Sequence, residues 1–237
     1  MTSSLKLTSR IVGDVGVLYC SGRVVAGAES EQLQKMTRSM LQHTSDVVLN
    51  FSEISYVDSS GLGALVNLCS HGSAPNNQVV LCNLSDKVRD VLQVTKLHDV
   101  FEIYESEPAA LFALYGEVAR TRRPGAPTGS RILCVDNSCD LLSYLREILQ
   151  ATNYQVLTTV NLADALLLLK ATKFNLVLIG PNFVRAGASP VEVLRAAARS
   201  TPTTAFLDNE DAAEMARDIL AKVDKELSSS RSAGSNL

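Results

Sequence analysis

Short apolar runs alternate with segments of helical periodicity along most of this 237-residue chain. In the second half, the runs RILCVD, YQVLTTV and FNLVLIG are each followed by a helix-like segment, and TTAFL precedes a final one. Apolar runs without alternation are typical of strands that helices cover on both faces. Strand–helix alternation of this kind predicts a doubly wound parallel sheet for this half.

The first half contains similar elements in a different order. LKLTSRIV and VGVLYCSG flank Gly13-Asp14, a turn signal, so they predict a hairpin. Further strands are predicted at DVVLNF, QVVLCNL and VFEIYE, with helices between and after them. We therefore expect a mixed, largely parallel sheet with helices, and an α/β fold class for the whole chain.

A stretch with three Gly, two Pro and few apolar residues, GEVARTRRPGAPTGS, divides the chain. We predict a first domain over residues 1–115, a linker over 116–130 and a second domain over 131–227. The last ten residues, 228–237, cannot bury a core and are predicted to form a disordered tail.

Composition excludes several classes of function. The formal charge of −3 argues against a nucleic-acid-binding protein, which needs a concentrated basic face. No apolar run reaches the roughly 18 residues that span a bilayer, and the N-terminus lacks the apolar core of a signal peptide. Neither the five cysteines nor the three histidines show metal-ligand spacing. We expect a cytoplasmic protein that uses no metal or cofactor and binds neither nucleic acid nor membrane.

One segment, ISYVDSSGLGALV, places an Asp and two Ser between an apolar run and a helical pattern. Val57 is predicted to end a buried strand, and Asp58 to cap the following helix. Ser59 and Ser60 then fall in the first turn of that helix. The pattern fits an ordinary helix cap, and it also fits a site that another protein must reach.

A simple helix cap does not explain the two glycines of the segment. Gly61 and Gly63 each cost roughly 0.8–1 kcal/mol against Ala if they are helical, so something is expected to offset them. A glycine lets another protein, or a loop of the same domain, approach the backbone closely.

Two stretches, VVLNFSEISYVDSSGLGALVNL and VVLCNLSDKVRDVLQVTKLHDVFEIYESEPAAL, resemble STAS domains, the family of bacterial anti-sigma-factor antagonists. The resemblance spans roughly Leu5 to Leu114 and includes the family signature D-S-S/T-G-L-G. It implies that a partner kinase phosphorylates the serine directly after the Asp, here Ser59. The implied partner-binding residues are Asp58, Ser59, Ser60, Gly61, Leu62 and Gly63.

The resemblance also implies a mechanism, partner switching. The unphosphorylated domain would bind an anti-sigma factor that is also a serine kinase of the ATPase-fold type, and so release a sigma factor. Phosphorylation of Ser59 would end the binding, and a serine phosphatase would reverse the modification. On this interpretation the protein is not an enzyme.

The second half resembles response-regulator receiver domains without their chemistry. A working receiver has an acidic pair after its first strand and a phosphoacceptor Asp after its third. Here the pair is Asp136-Asn137, and Gly180 stands where the phosphoacceptor should be. Leu207 takes the switch position, and no fifth strand with its Lys is apparent. The resemblance therefore implies a pseudo-receiver, in which Asp136 is expected to be structural rather than a metal ligand.

Three alternatives stay open at this point. Both domains could be interaction modules of a scaffold or adaptor, with Ser59 acting only as part of a helix cap. The first domain could bind a small ligand, and an enzyme is the most distant interpretation because no triad or phosphate loop is visible.

A homodimer through the receiver-like domain is a further prediction. The apolar stripe behind it, which also fits packing on its own sheet, consists of Met215, Ile219, Val223 and Leu227.

Overall fold

A computed structural model describes residues 4–70, 77–116, 129–186, 188–206 and 212–234. The chain divides into two compact units, Met1–Arg123 and Pro124–Leu237. The division falls within the segment predicted as a linker. Most of that segment, residues 117–128, lies outside the described residues.

The first unit is built on a mixed five-stranded sheet. Its strands are β1 (Lys6–Val12), β2 (Val15–Val24), β3 (Asp46–Val57), β4 (Val79–Cys82) and β5 (Ile103–Tyr104). Its described helices are α1 (Ala28–Leu41), α2 (Ser59–Ser70), α3 (Asp86–Val94) and α4 (Glu107–Tyr115). The strands lie in sequence order, with β1 and β2 antiparallel and the remaining pairs parallel. This confirms the predicted hairpin and the mixed, largely parallel sheet.

The hairpin turns at Gly13, whose φ of 62° is a conformation that glycine adopts easily. From β2 onward the strands run in parallel, so their carboxyl ends lie at one edge of the sheet. Helix α2 begins directly after β3 at this edge, and α3 begins a few residues after β4. The fold therefore brings the start of α2 next to the end of β2.

The two faces of this sheet are covered differently. Leu49 and Phe51 of β3 are fully buried in a core that also contains side chains of α1, α2 and α3. Asn50 lies between them and so points to the opposite face. There its amide donates a hydrogen bond of 3.2 Å to Glu107, at the start of α4. Helices therefore cover both faces of β3.

Ser85 occupies the N-cap position of α3, where serine is common, but its side chain makes no capping hydrogen bond. Its hydroxyl instead donates a 3.1 Å hydrogen bond to the carbonyl oxygen of Ile54 in β3. This contact holds the start of α3 against the neighbouring strand. A propensity for caps is a local property and cannot foresee such a competing partner.

The second unit contains a parallel sheet. Its strands are β6 (Arg131–Val135), β7 (Gln155–Thr159), β8 (Leu176–Ile179) and β9 (Thr203–Ala205). Its described helices are α5 (Cys139–Ala151), α6 (Leu162–Ala171), α7 (Pro181–Arg185), α8 (Ala188–Ala198) and α9 (Ala212–Gly234). The strand order is β7-β6-β8-β9. This matches the first four strands of the doubly wound order 2-1-3-4-5. The described residues contain no fifth strand.

The apolar stripe of α9 packs within its own unit. Ile219 and Val223 are buried in a core that also contains Leu145 and Leu149 of α5 and Leu178 of β8. Of the two interpretations of this stripe, the structure therefore supports packing on its own sheet. The homodimer stays a prediction, and this stripe does not supply its surface.

Helix α9 ends later than the sequence suggests. It continues to Gly234, whereas residues 228–237 are predicted as a disordered tail. The prediction relied on the absence of core-forming side chains after Leu227. A helix that is already formed gains one backbone hydrogen bond for each residue added, so it can extend beyond its packed part. The Ser228 hydroxyl also donates to the carbonyl oxygen of Asp224 at 2.6 Å.

Candidate functional site

Asp58 joins three elements at the carboxyl edge of the first sheet. Its Oδ1 accepts a 2.8 Å hydrogen bond from the backbone N–H of Gly61, which caps α2 as the sequence predicts. Its Oδ2 accepts a 3.0 Å hydrogen bond from the N–H of Ala26, in the connection between β2 and α1. The Asp58 N–H donates to the carbonyl oxygen of Val24 at 3.1 Å. One residue thus ties α2 to the end of β2.

These hydrogen bonds lower the pKa of the Asp58 carboxyl. The N–H of Gly61 contributes most, followed by that of Ala26, because both stabilise the charged form. Desolvation opposes them, and the N–H of Ser60 and the charge of Arg23 add smaller contributions that lower the pKa. Asp58 is therefore ionised at neutral pH and places a negative charge at the start of α2, where the helix dipole favours it.

Ser59 and Ser60 are the first two residues of α2, and both are exposed. Since Asp58 supplies the cap, the serine hydroxyls are not required for that role. Both are accessible to a protein that approaches the start of the helix. The local geometry therefore allows modification of either serine without opening the fold.

The two glycines of the segment have different environments. A Cβ on Gly61 would lie 2.3 Å from the carbonyl oxygen of Val24 and 2.9 Å from Cγ1 of Val57. Gly61 is therefore needed for the close approach of α2 to β2. A Cβ on Gly63 would meet no described atom within 4 Å, and Gly63 is exposed. Strands β2 and β3 of the same domain account for the first glycine but not for the second.

The surface formed by this segment is smaller than the sequence interpretation implies. Leu62 is buried in the core of the first unit, and Gly61 is covered by β2. Their assignment as partner-contacting residues is not supported by their position, because helical periodicity turns both inward. Ser59, Ser60 and Gly63 remain on the outside.

An arginine–tyrosine pair lies beside this surface, and sequence reasoning missed it. Arg23 and Tyr56 are neighbours in the register of β2 and β3. The Arg23 guanidinium carbon lies 4.8 Å from the centre of the Tyr56 ring, a cation–π contact. Tyr56 is still 47% exposed. Nothing in either sequence segment indicates this pairing, which depends on a strand register interrupted by a bulge.

In the second unit, Asp136 is fully buried and hydrogen-bonded on both oxygens. Its Oδ1 accepts from the N–H of Ser138 at 2.8 Å and from Nδ2 of Asn182 at 2.9 Å. Its Oδ2 accepts from the N–H groups of Asn182 at 2.9 Å and Phe183 at 3.3 Å. These bonds fix the loop after β6 to the start of α7. Asn137, the other half of the predicted pair, is exposed.

Gly180 provides the space for this carboxylate. A Cβ at position 180 would lie 2.2 Å from Oδ2 of Asp136. The Asp136 carboxylate therefore occupies the space that any side chain at position 180 would need. Helix α7, which starts at Pro181, was not predicted, although a proline after a strand is a usual helix start. Leu207, the predicted switch position, lies outside the described residues.

Two further features of the described residues bear on other classes of function. In these ranges no three side chains of His, Cys, Asp and Glu lie close enough together to hold a metal ion. None of the helices described there is both long and apolar enough to cross a membrane.

Comparisons with known proteins concern the first unit. Residues 6–110 match the STAS domain family. BtrV of Bordetella bronchiseptica, which carries the name of an anti-sigma factor antagonist, is 27% identical over 110 residues, covering 46% of this chain and 94% of BtrV. The anti-sigma-B factor antagonist of Staphylococcus aureus is 27% identical over 75 residues, covering 31% of this chain and 69% of that protein.

A solved structure of the anti-sigma factor antagonist SpoIIAA in its unphosphorylated form is similar as well. The likeness has a TM-score of 0.40 and 21% identity, and it covers 47% of this chain and 96% of that one. No conclusion about function rests on it. On the evidence of the family match, residues 6–110 of this chain form a STAS domain.

Proposed function

We propose that this protein is a partner-switching signalling regulator. Its STAS domain binds an anti-sigma factor through the exposed start of α2, and phosphorylation of Ser59 ends that binding. The observation that carries the proposal is the division of roles in one short segment. Asp58 caps the helix, which leaves Ser59 accessible, and Gly63 leaves open space one turn further along.

A phosphate on Ser59 would act through its charge. It adds about −1.5 to −2 charges next to Asp58, which is already ionised. A partner seated closely over Gly63 would have to desolvate this charge. Burying an ill-paired charge in an interface costs about 2–5 kcal/mol, or roughly 30- to several-thousand-fold in affinity. Since Ser59 is exposed, the fold need not change.

The partner in this proposal is an anti-sigma factor that is also a serine kinase of the ATPase-fold type. The names of the two relatives, both antagonists of anti-sigma factors, support a partner of this class. The kinase would supply ATP and the catalytic residues, a serine phosphatase would remove the phosphate, and this chain would act by binding alone. The site of action would be the cytoplasm, where sigma factors work.

We further propose that the second unit is a pseudo-receiver that adds docking or dimerisation. The parallel sheet with the order β7-β6-β8-β9 supports this interpretation, as does the close approach of the Asp136 carboxylate to Gly180, to which the resemblance assigns the phosphoacceptor position. With Gly180 in place of an Asp and with Asp136 fully hydrogen-bonded, this unit would not accept a phosphoryl group.

Affinity capture from the lysate of the source organism tests the proposal. The baits are the wild-type chain, Ser59→Glu, Ser60→Glu and a matched control, Ser39→Glu, which adds the same charge at an exposed serine of α1. We expect wild type and the Ser39→Glu control to retain an ATPase-fold kinase that Ser59→Glu loses. The Ser60→Glu bait shows whether the effect belongs to one serine or to the whole turn.

The scaffold hypothesis makes a different prediction in the same experiment. If all four baits retain the same proteins, negative charge at the start of α2 does not control binding. The partner-switching proposal would then be wrong, and the chain would act as an adaptor.

A further inference from the structure

Arg23 lies next to the segment that carries Ser59, because β2 and α2 are held together by several contacts. Val24, its neighbour, accepts the N–H of Asp58 at 3.1 Å. The same carbonyl oxygen lies close above Gly61. Ala26, two residues further, donates to the Asp58 carboxylate at 3.0 Å. The backbone of residues 24–26 is therefore fixed against the first turn of α2.

The Arg23 side chain is held by a weak contact. Its guanidinium lies 4.8 Å from the centre of the Tyr56 ring, and that ring is 47% exposed. An exposed cation–π contact is weaker than a charge-assisted pair between arginine and phosphate, in which two N–H groups can bind two oxygens. The charge of Arg23 already reaches this site, since it helps to lower the pKa of Asp58.

We propose that Arg23 is the internal counter-ion of a phosphate on Ser59: on phosphorylation its guanidinium leaves the Tyr56 ring and binds the phosphate oxygens. This inference rests on the modification of Ser59 proposed above and adds a residue and a local rearrangement to it. The pairing offsets the repulsion between the phosphate and Asp58. It also uncovers the Tyr56 ring, so the phosphorylated surface differs from the unmodified one in shape as well as in charge.

The test is a ³¹P NMR titration of the full chain with phosphoserine installed at position 59 during synthesis. Wild type is compared with Arg23→Gln and with a matched control, Arg38→Gln. Arg38 lies on α1 and donates to Asn67, which is eight residues along α2 from Ser59. At 1.5 Å of rise per residue this is about 12 Å away.

We expect the second pKa of the phosphate, normally about 6, to be higher in Arg23→Gln than in wild type by about 0.5–1 unit. This is a change of about 3- to 10-fold in the proton-binding constant. Arg38→Gln should match wild type, and Arg23→Lys should lie between wild type and Arg23→Gln, because it keeps the charge but not the fork of N–H groups. The carboxylate of Asp58, which precedes Ser59 in the chain, raises this pKa, and it is unchanged in all variants. The acidic side chains in the first turn of α1, Glu29 and Glu31, are unchanged as well.

A second variant, Tyr56→Leu, tests the same inference without changing Arg23. Removing the ring frees the guanidinium, so the pKa of the phosphate should fall below that of wild type. A ³¹P titration in which Arg23→Gln, Tyr56→Leu and wild type coincide would overturn the inference, as would an equal rise in the Arg38→Gln control.

The outcome is separate from that of the capture experiment, because the phosphate is installed without a cellular kinase. A shift that depends on Arg23, combined with no kinase retained by wild-type bait, would support the counter-ion and refute the proposed function. If the wild-type bait retains a kinase but the pKa of the phosphate does not depend on Arg23, only the counter-ion inference is wrong.

Discussion

At the scale of single residues, the segment from Asp58 to Gly63 contains two kinds of residue. Some are required by the fold, and others are exposed without a structural role in it. Asp58 and Gly61 contact the end of β2, the first through the hydrogen bond from its N–H to the Val24 carbonyl oxygen and the second by close approach to the same oxygen. Within the described part of the chain, Ser59 and Gly63 are exposed and have no comparable structural role. The fold of the domain thus explains only one of the two glycines of this short motif.

The two glycines are expected to respond in opposite ways to the same change. Gly61→Ala places a methyl group against the Val24 carbonyl and should destabilise the first unit by about 1–3 kcal/mol, the usual cost of overpacking. Gly63→Ala removes a helix-weakening glycine in open space and should stabilise it by about 0.5–1 kcal/mol. Urea unfolding followed by circular dichroism measures both. Equal destabilisation by the two substitutions would contradict the assigned roles.

The charge of Asp58 gives the first unit a pH-dependent stability. Its pKa is lowered in the folded state, chiefly by the N–H of Gly61. The stabilisation is therefore fully present above the unfolded value of about 3.9, and it is lost as pH falls through the lower folded value. Asp58→Asn keeps a capping side chain without the charge. The difference in unfolding free energy between wild type and Asp58→Asn should shrink between pH 6 and pH 3; a difference that is constant with pH would contradict this.

At the scale of elements, Asp136 and Gly180 form one structural unit that closes the carboxyl edge of the second sheet. The carboxylate holds the start of α7, and the glycine makes room for it. The position of the Asp136 carboxylate requires a residue without a side chain at position 180, which is why glycine fits there. A side chain cannot be introduced at position 180 without displacing the carboxylate of Asp136.

A double-mutant cycle tests this coupling. Gly180→Ala should destabilise the second unit by about 1–3 kcal/mol through overpacking. Asp136→Ala should also destabilise it, because the N–H groups of Ser138, Asn182 and Phe183 lose their acceptor. In the double variant the methyl group added at position 180 no longer meets a carboxylate, so the combined loss should be smaller than the sum of the two. Thermal unfolding provides the measurement, and strict additivity would show that the two positions act independently.

Much of this arrangement of elements follows from the sequence. Continuous apolar runs predict the parallel strands, and Gly13-Asp14 predicts the hairpin. The cap at Asp58 is also predicted, since it depends only on the residues that follow it. Three features of the structure are not predicted by the sequence. The Ser85–Ile54 hydrogen bond, the Arg23–Tyr56 pair and the fit of Asp136 over Gly180 each join residues far apart in sequence. Patterns of local periodicity carry no information about such contacts.

At the scale of the whole molecule, the account assigns the switch to the surface of one unit. The buried apolar side chains of the first unit lie between Leu5 and Tyr115, and the second unit has a core of its own. Ser59 lies outside the first core. A charge added at Ser59 is therefore expected to alter what the protein binds while leaving both cores intact.

The most direct test measures the affinity of the captured kinase for the purified full chain, unmodified and with phosphoserine at position 59. The account predicts that the phosphate weakens binding by roughly 30-fold or more, the effect of about 2 kcal/mol or more at the interface. It also predicts unchanged circular dichroism and no loss of thermal stability. Equal affinity of the two forms would contradict the account, and so would a loss of binding accompanied by unfolding of the STAS domain.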